Sequence, residues 1–555
     1  MPATTPCPKP RTRTRLPRIQ SLLCSLTLAI AAAPAATQTA ARSAAPADPE
    51  LVPTRTSVPT LEPSRPFEPK DNTIIVELSE YAGYSGLIVA NGGLAPSKDS
   101  HFFKKHGLLV QLVLSEEESW SALNAGKIAA AATTVDVLAV YARQLRVAVS
   151  ALIGYSRGAD SILVRNDIRT LNSLAGKTLA TCQFTEADFF LRYLAAEAGL
   201  SVNPLPSLAA APAPGKINVV YTDTAFSAGD LFLRDIRENR NRLAGCVTWE
   251  PKTGEVLQAA DARARTLISN RNILIIADIL LVNKPFADKH PDMVYALAEG
   301  LIWGNQQIRE NPRTHLKLIE QAFQWEAGEA EQQLAKVHLA NLPENEAFFS
   351  GQIDAAGSFT NIYEMAALSY GKDLIGVPPN PAQFLQPAIL KRLRENNAQL
   401  ASARVDIKPV SPDGKTRAEA SPDGENALLT KDIRFQFEPN SPNLDPKDAE
   451  NLQRLQSIAR LLQVSPGSLV VLRGHADGSQ IEMIRARNGE AAANRALITL
   501  KRLSEQRCET VKAALIQQHR VDPDRIVAEG VGADEPTGQG ADADRRVAVQ
   551  WFTIE

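Results

Sequence analysis

The chain has 555 residues, 44% hydrophobic and 22% charged, with a formal net charge of -2. That length holds two or more domains, and the composition is ordinary for globular protein. The near-neutral balance supplies no basic surface for nucleic acid.

In chain order, Arg11, Arg13, Arg15 and Arg18 precede an apolar run over residues 22–36 that ends in small residues, Ala33-Pro34-Ala35 among them. This is the pattern of a secretory signal peptide over residues 1–36. The run is short and Ala-rich for a membrane span; an uncleaved anchor is the alternative. Cys24 opens the run without the small residues of a lipidation site before it. Residues 37–71 are rich in Pro, Ala, Ser and Thr, which predicts an extended, disordered linker.

From 72 to 401 strands and helices alternate. Strands are predicted at 73–78, 108–114, 128–132, 147–153, 161–164 and 177–181. Helices are predicted at 119–125, from near Thr134, and from Thr185 through Glu197 with Gly199 at its end. The alternation predicts parallel sheets with helices on both faces. Residues 402–429 carry two Ser-Pro-Asp-Gly turns, at Ser411 and Ser421, and no apolar periodicity, so they read as a flexible linker. In 430–555 strands are predicted at 433–437, 468–473, 525–531 and 547–552. A helix begins at Asp445-Pro446 and carries Leu452, Leu455, Ala459 and Leu462 as its stripe. A mixed sheet with helices on one face fits this order.

Of five cysteines, Cys7 and Cys24 fall in the leader and Cys182, Cys246 and Cys508 remain. That sparse, odd set is no disulfide framework; a Cys182–Cys246 bridge and free buried thiols both stay open. No Cys or His cluster has metal-ligand spacing. No Gly-rich phosphate loop or Ser-His-Asp pattern is present. No cofactor, metal or catalytic residue is therefore expected.

Three motifs follow one another near the C-terminus: Gly474-His475-Ala476-Asp477, Leu503-Ser504-Glu505-Gln506-Arg507 and Asp544-Arg545-Arg546-Val547. The series resembles the OmpA-like peptidoglycan-binding domain. That family reads the diaminopimelate of the wall peptide with an Asp just after a strand and an Arg on the next helix. The resemblance gives those roles to Asp477 and Arg507, makes peptidoglycan a partner, and places the chain in the periplasm, at the cell wall or outer membrane. The residues bear on this directly. Arg507 lies in a helical stripe with Leu500, Leu503, Val511, Ala514 and Leu515, where a guanidinium needs a partner, and the strand-end carboxylate of Asp477, with a ligand's own carboxylate, would supply one. Taken singly, a snorkelling Arg and a capping Asp account for the pair. Three departures stand out: a helical insertion within 480–502, Leu500 where the family carries Asn, and Asp544 where it carries Asn.

In the larger part, Tyr81-Ala82-Gly83-Tyr84, residues 131–136, residues 160–165 before Leu174-Ala175-Gly176-Lys177-Thr178, Phe189-Phe190-Leu191 before Ala198-Gly199-Leu200, Trp249-Glu250-Pro251 and Asn311-Pro312 occur in order. That order resembles periplasmic solute-binding proteins of the nitrate, sulfonate and taurine (NMT1/THI5-like) group. The implied fold class is α/β: a two-lobed periplasmic-binding-protein fold, followed by the small α+β OmpA-like domain. Ligand groups then sit on loops after strand ends. They are Glu80, Tyr81 and Tyr84; Thr133, Thr134 and Asp136; Phe184, Thr185 and Glu186; Asp223 and Thr224; Trp249 and Glu250; with Arg157 as the one obvious cation. Local roles compete: Thr134 and Thr185 are good N-caps, Asp136 and Glu186 complement helix dipoles, and Tyr84 suits a core. Acids outnumber cations at these loops, which argues for an amine-bearing or zwitterionic solute, with Arg157 on its acid end, over a free anion.

The function expected is a wall-tethered solute receptor, the substrate-binding component of an ABC importer with a permease as partner. An envelope sensor or scaffold is the second reading. A pyrimidine-precursor-type enzyme is the third; it needs a reactive His, and His101, His106, His290 and His315 have no nucleophile or metal partner in view.

Overall fold

The computed structural model describes residues 50–553, apart from 116–118, 354–355, 409–427, 439–440 and 446–447. The predicted signal segment, the first part of the Pro-rich linker and the centre of the second linker lie outside the described residues.

Two α/β lobes form the larger part. The first has a six-stranded sheet in the order Val337–Leu339, Val147–Ser156, Ala277–Asn283, Ala130–Thr134, Thr73–Leu78, Leu109–Leu114. Val147–Ser156 is buried at every position, which is why it reads as one apolar run instead of an alternation. The second lobe has a seven-stranded sheet. Its main path is Leu51–Val52, Ile217–Thr222, Thr178–Cys182, Gly245–Trp249, Asp160–Arg165, Ala264–Ser269, with Val202–Pro204 beside Ile217–Thr222.

The expectation of parallel sheets fails at two inner strands and at the edge strands Leu51–Val52 and Val337–Leu339, each antiparallel to its one neighbour. Asp160–Arg165 and Ala277–Asn283 run antiparallel to both of their neighbours. The chain crosses from the first lobe to the second just before Asp160 and returns just before Ala277. A strand entered from the other lobe arrives without a helical crossover, so nothing forces it parallel. Two crossings also make a hinge.

The linker expected over 37–71 is extended but not free where it is described. Leu51 and Val52 pair with Thr222 and Tyr221. Farther along, amide side chains take the backbone groups that prolines leave out of any ladder. Gln144 donates to the Pro59 carbonyl and accepts from the Leu61 amide. Asn283 donates to the Arg65 carbonyl and accepts from the Phe67 amide.

The C-terminal sheet has four strands in the order Leu429–Ile433, Val547–Phe552, Leu469–His475, Ile526–Gly532. The long helix Glu490–His519 packs close on it because Gly474 and Gly530 have no side chain. A Cβ on Gly474 would collide with the Ser504 carbonyl, and one on Gly530 would lie 2.6 Å from the Lys501 carbonyl oxygen. Two boundaries differ from expectation. The first strand ends at Ile433, and Phe437 only bridges Leu444. The first helix starts at Ala449, because Asp448, not Asp445, accepts the amides of Glu450 and Asn451. Leu452 is 60% exposed, while Leu455, Ile458, Leu461 and Leu462 are buried. The predicted insertion is the helix Ile481–Asn488 and the first turns of Glu490–His519.

The C-terminal domain is seated on the larger part, not only joined to it by chain. Asn172 brackets Thr430, accepting from its amide and donating to its carbonyl, both at 2.9 Å. The Leu274 amide, on the return crossing, donates to the Val464 carbonyl at 2.7 Å. The three described cysteines are free and buried. No helix among the described residues is long and apolar enough to cross a membrane.

Candidate functional site

A cavity of about 260 Å³ lies between the lobes, beside the two crossings. Its floor is acidic. Asp160 opens a strand straight after the first crossing and is 3% exposed. It accepts from the Ser156 hydroxyl and, at 2.8 Å, from Asn270 Nδ2. Burial pushes its carboxyl up to about 6, against the pull of those two donors. Asp278 opens the strand after the second crossing and accepts from the Tyr84 hydroxyl at 3.2 Å. Tyr81 packs edge-on against Tyr84 at 5.2 Å. Burial raises the Tyr81 phenol, and Asp278 and Asp160 raise it further. Trp120, Tyr141 and Trp249 supply aromatic walls.

The rim comes from loops of the second lobe. Phe184 takes a left-handed backbone, φ 69°, which sets the turn between Cys182 and the helix Glu186–Glu197. Thr185 donates its hydroxyl to the Cys182 carbonyl at 2.9 Å instead of capping that helix. Glu186 and Asp223 follow on the rim, as does Arg55 of the N-terminal segment.

Nine of the fourteen predicted solute residues line this cavity: Tyr81, Tyr84, Thr134, Phe184, Thr185, Glu186, Asp223, Thr224 and Trp249; Glu80 and Thr133 are among those that do not. Asp136, Arg157 and Glu250 do not line it. Asp136 is wholly buried in the first turn of the helix Val135–Tyr141, behind Thr134, and burial pushes it up to about 7. Arg157 belongs to the first crossing, where its amide donates to the Lys336 carbonyl at 2.8 Å. Glu250 accepts from Lys336 Nζ at 2.6 Å and from the Gly254 amide at 3.1 Å, so it bridges the lobes. Glu80 likewise serves the fold, accepting from Trp325 Nε1 at 2.6 Å.

The floor carboxylates Asp160 and Asp278 were not among the predicted residues. Their sequence signal is an Asp at the head of an otherwise apolar strand. Arg55 was hidden by its Pro-rich surroundings.

In the C-terminal domain Asp477 and Arg507 do not pair directly among the described residues, contrary to expectation. Asp477 accepts from the Ser479 amide at 2.9 Å and pairs with Arg545 at 3.1 Å. Arg507 is half-buried, stacks over Phe437 at 4.8 Å and donates to the Ser441 carbonyl at 3.3 Å. Burial lowers its guanidinium, and nearby Arg545 lowers it further. Arg545 thus takes the partner foreseen for Arg507. Elsewhere, His101 and His106 both meet buried Glu299, at 2.9 and 3.0 Å, away from the cavity.

Residues 436–550 match the model of the OmpA family, so an OmpA-family domain forms the C-terminal part. No curated protein matches the sequence. Among solved structures, the chain is similar to the alkanesulfonate-binding protein SsuA from Xanthomonas axonopodis pv. citri, at 16% identity over 57% of this chain and 99% of that one, with a TM-score of 0.43. It is similar to the periplasmic aliphatic sulphonate binding protein SsuA from Escherichia coli at 14% identity, over 58% and 100% of the two chains, with a TM-score of 0.42. A Candida albicans gene product with the generic periplasmic binding protein fold is similar at 12% identity, over 58% and 95%, with a TM-score of 0.40.

Proposed function

We propose that the protein is a solute receptor of the cell envelope, held at peptidoglycan by its C-terminal domain. The observation that carries this is an acid-floored cavity at the hinge of a two-lobed fold that ends in an OmpA-family domain. Lobe closure supplies the specificity, and no chemistry is needed.

The solute bears an amine or other cationic group. Four carboxylates face the cavity, those of Asp160, Glu186, Asp223 and Asp278. A sulfonate, the ligand class named for the two SsuA proteins, would meet like charge there. An ammonium would meet carboxylates backed by aromatic faces. Delivery to an ABC permease is the first use of such a receptor. A sensor or scaffold is the second, favoured by the Leu274–Val464 bond, which ties the return crossing to the wall domain.

At the wall, Asp477 offers an ammonium group a carboxylate whose present partner, Arg545, is 53% exposed. Exposed pairs of this kind are worth little, so an incoming cation displaces Arg545 easily. Arg507, with one carbonyl partner, is available to a ligand carboxylate.

Mass spectrometry of small molecules released from the purified mature protein tests the solute reading. An amine that is lost in Asp160→Asn supports it; a simple inorganic anion or a sulfonate overturns it. Sedimentation with purified peptidoglycan tests the other end. Asp477→Ala and Arg507→Ala should each cut the pelleted fraction severalfold. Pelleting of both variants like the parent would remove wall binding from these residues.

A further inference from the structure

The segment ahead of the lobes forms part of the binding site. It begins on the second lobe, where Glu50 pairs with Arg234 and Val52 with Tyr221. Gln183 then holds Arg55 by its backbone on both sides: the Arg55 amide donates to Oε1 and Nε2 donates to the Arg55 carbonyl, each at 2.8 Å. A few residues later the chain is on the first lobe, where Gln144 holds Pro59 and Leu61 in the same way. The segment therefore spans the cleft, and Arg55 meets the cavity between the two anchors.

Arg55 is the one cation among the described residues of the cavity lining. Its guanidinium makes no ion pair among the described residues, and Gln183 engages only its backbone. A planar guanidinium fork suits a carboxylate, and the fixed backbone leaves only the side chain to be ordered on binding. The floor beneath it is of opposite character, with Asp160 and Asp278 beside Tyr81 and Tyr84. One molecule filling the cavity meets carboxylates at its inner end, and at its outer end the single cation Arg55 on a rim shared with Glu186 and Asp223.

We infer that the solute is a small zwitterion, its ammonium directed to Asp160 and Asp278 and its carboxylate held by Arg55, so that the N-terminal segment is a third ligand-binding part alongside the two lobes. This rests on the receptor reading and names the ligand class for it. The earlier expectation placed the acid end on Arg157; Arg55 takes that role.

Calorimetry on the full chain with 4-aminobutyrate and 6-aminohexanoate, each against its matched amine and matched acid, tests the inference. At least one zwitterion should bind tenfold or more tightly than its amine, and the acids should not bind. Arg55→Gln should collapse the zwitterion-to-amine ratio toward one, and Arg55→Lys should restore part of it. Arg55 is exposed, so neither change threatens folding. Equal affinity for amine and zwitterion, an unchanged ratio in Arg55→Gln, or no zwitterion binding at millimolar concentration each overturns the inference. In those cases, a released molecule of another class that is lost in Asp160→Asn leaves the receptor reading standing. The absence of any bound or binding molecule removes both.

Discussion

Asp160 shows how one carboxylate reports on the site. Burial holds it at about 6, so near neutral pH it is ionised and close to its midpoint. A ligand ammonium beside it would draw the value down and expel the remaining proton. Affinity for an amine-bearing solute should therefore fall as pH drops through about 6, and binding at pH 6 should release protons. Titrations in buffers of different ionisation enthalpy read this directly; proton uptake would contradict it. Asp136 behaves differently because it lies behind the wall. Its carboxyl is held at about 7 against an ordinary 3.8. Between those values the native state keeps a proton that the unfolded chain has lost, so stability falls as pH rises through the window. The penalty is absent below the lower value and complete above the upper one. Asp136→Asn should thus raise stability at pH 8 by roughly 1–3 kcal/mol and change it little at pH 4. Melting curves at both pH values check this, and a variant that melts lower at pH 8 shows that the ionised form is needed. Tyr81, Tyr84 and Trp249 were legible because aromatics just past strand ends suit a pocket. Arg157 and Glu250 lie outside the cavity; charge near a strand end does not reveal which way its side chain will go. Glu250 meets the Lys336 side chain, and the Arg157 guanidinium is buried, with Nε and Nη2 unsatisfied among the described residues.

Among elements, the apolar strands were the most legible: Thr73–Leu78 and Val547–Phe552 have the limits their sequences predict. The N-terminal segment was the least. Proline content shows that a stretch cannot join a ladder, but not whether side chains elsewhere will bind it. Asn283 makes the point. Wholly buried, it accepts from the amides of Phe67 and Phe286 and donates to the carbonyls of Arg65 and Leu123. One side chain thus caps a helix and fastens the segment. Asn283→Ala leaves those buried groups unsatisfied and should cost about 2–4 kcal/mol. Urea unfolding measures the loss, and tryptic cleavage at Lys70, the next residue along the segment that trypsin can cut, should appear before global unfolding. A cost below about 0.5 kcal/mol, in the range of an ordinary surface change, would mean that the segment is held elsewhere.

For the whole molecule, composition separated two folded parts but not their relation. A polar stretch with two Ser-Pro-Asp-Gly turns reads as a spacer whatever its ends do. The ends are not free: Leu428 and Leu429 are buried, Thr430 is bracketed by Asn172, and Gln463 donates to the Ile353 carbonyl at 3.2 Å. The seat reaches the second lobe through Asn172 and the return crossing through Leu274. Because that crossing is one of the chain's passages between the lobes, lobe closure should strain the seat unless the C-terminal domain moves with it. Cutting an engineered protease site within 409–427 separates covalent tethering from docking. The two fragments should stay together on size-exclusion chromatography at micromolar concentration. Asn172→Ala removes the bracket and should weaken their association several-fold. Solute should also change the association constant of the cut protein, since any ligand that prefers one lobe arrangement must shift a contact that spans the hinge. Fragments that separate at once would leave the linker as the only connection. Fragments that stay together with an association constant indifferent to solute would make the wall domain an anchor alone, and would favour delivery to a permease over sensing.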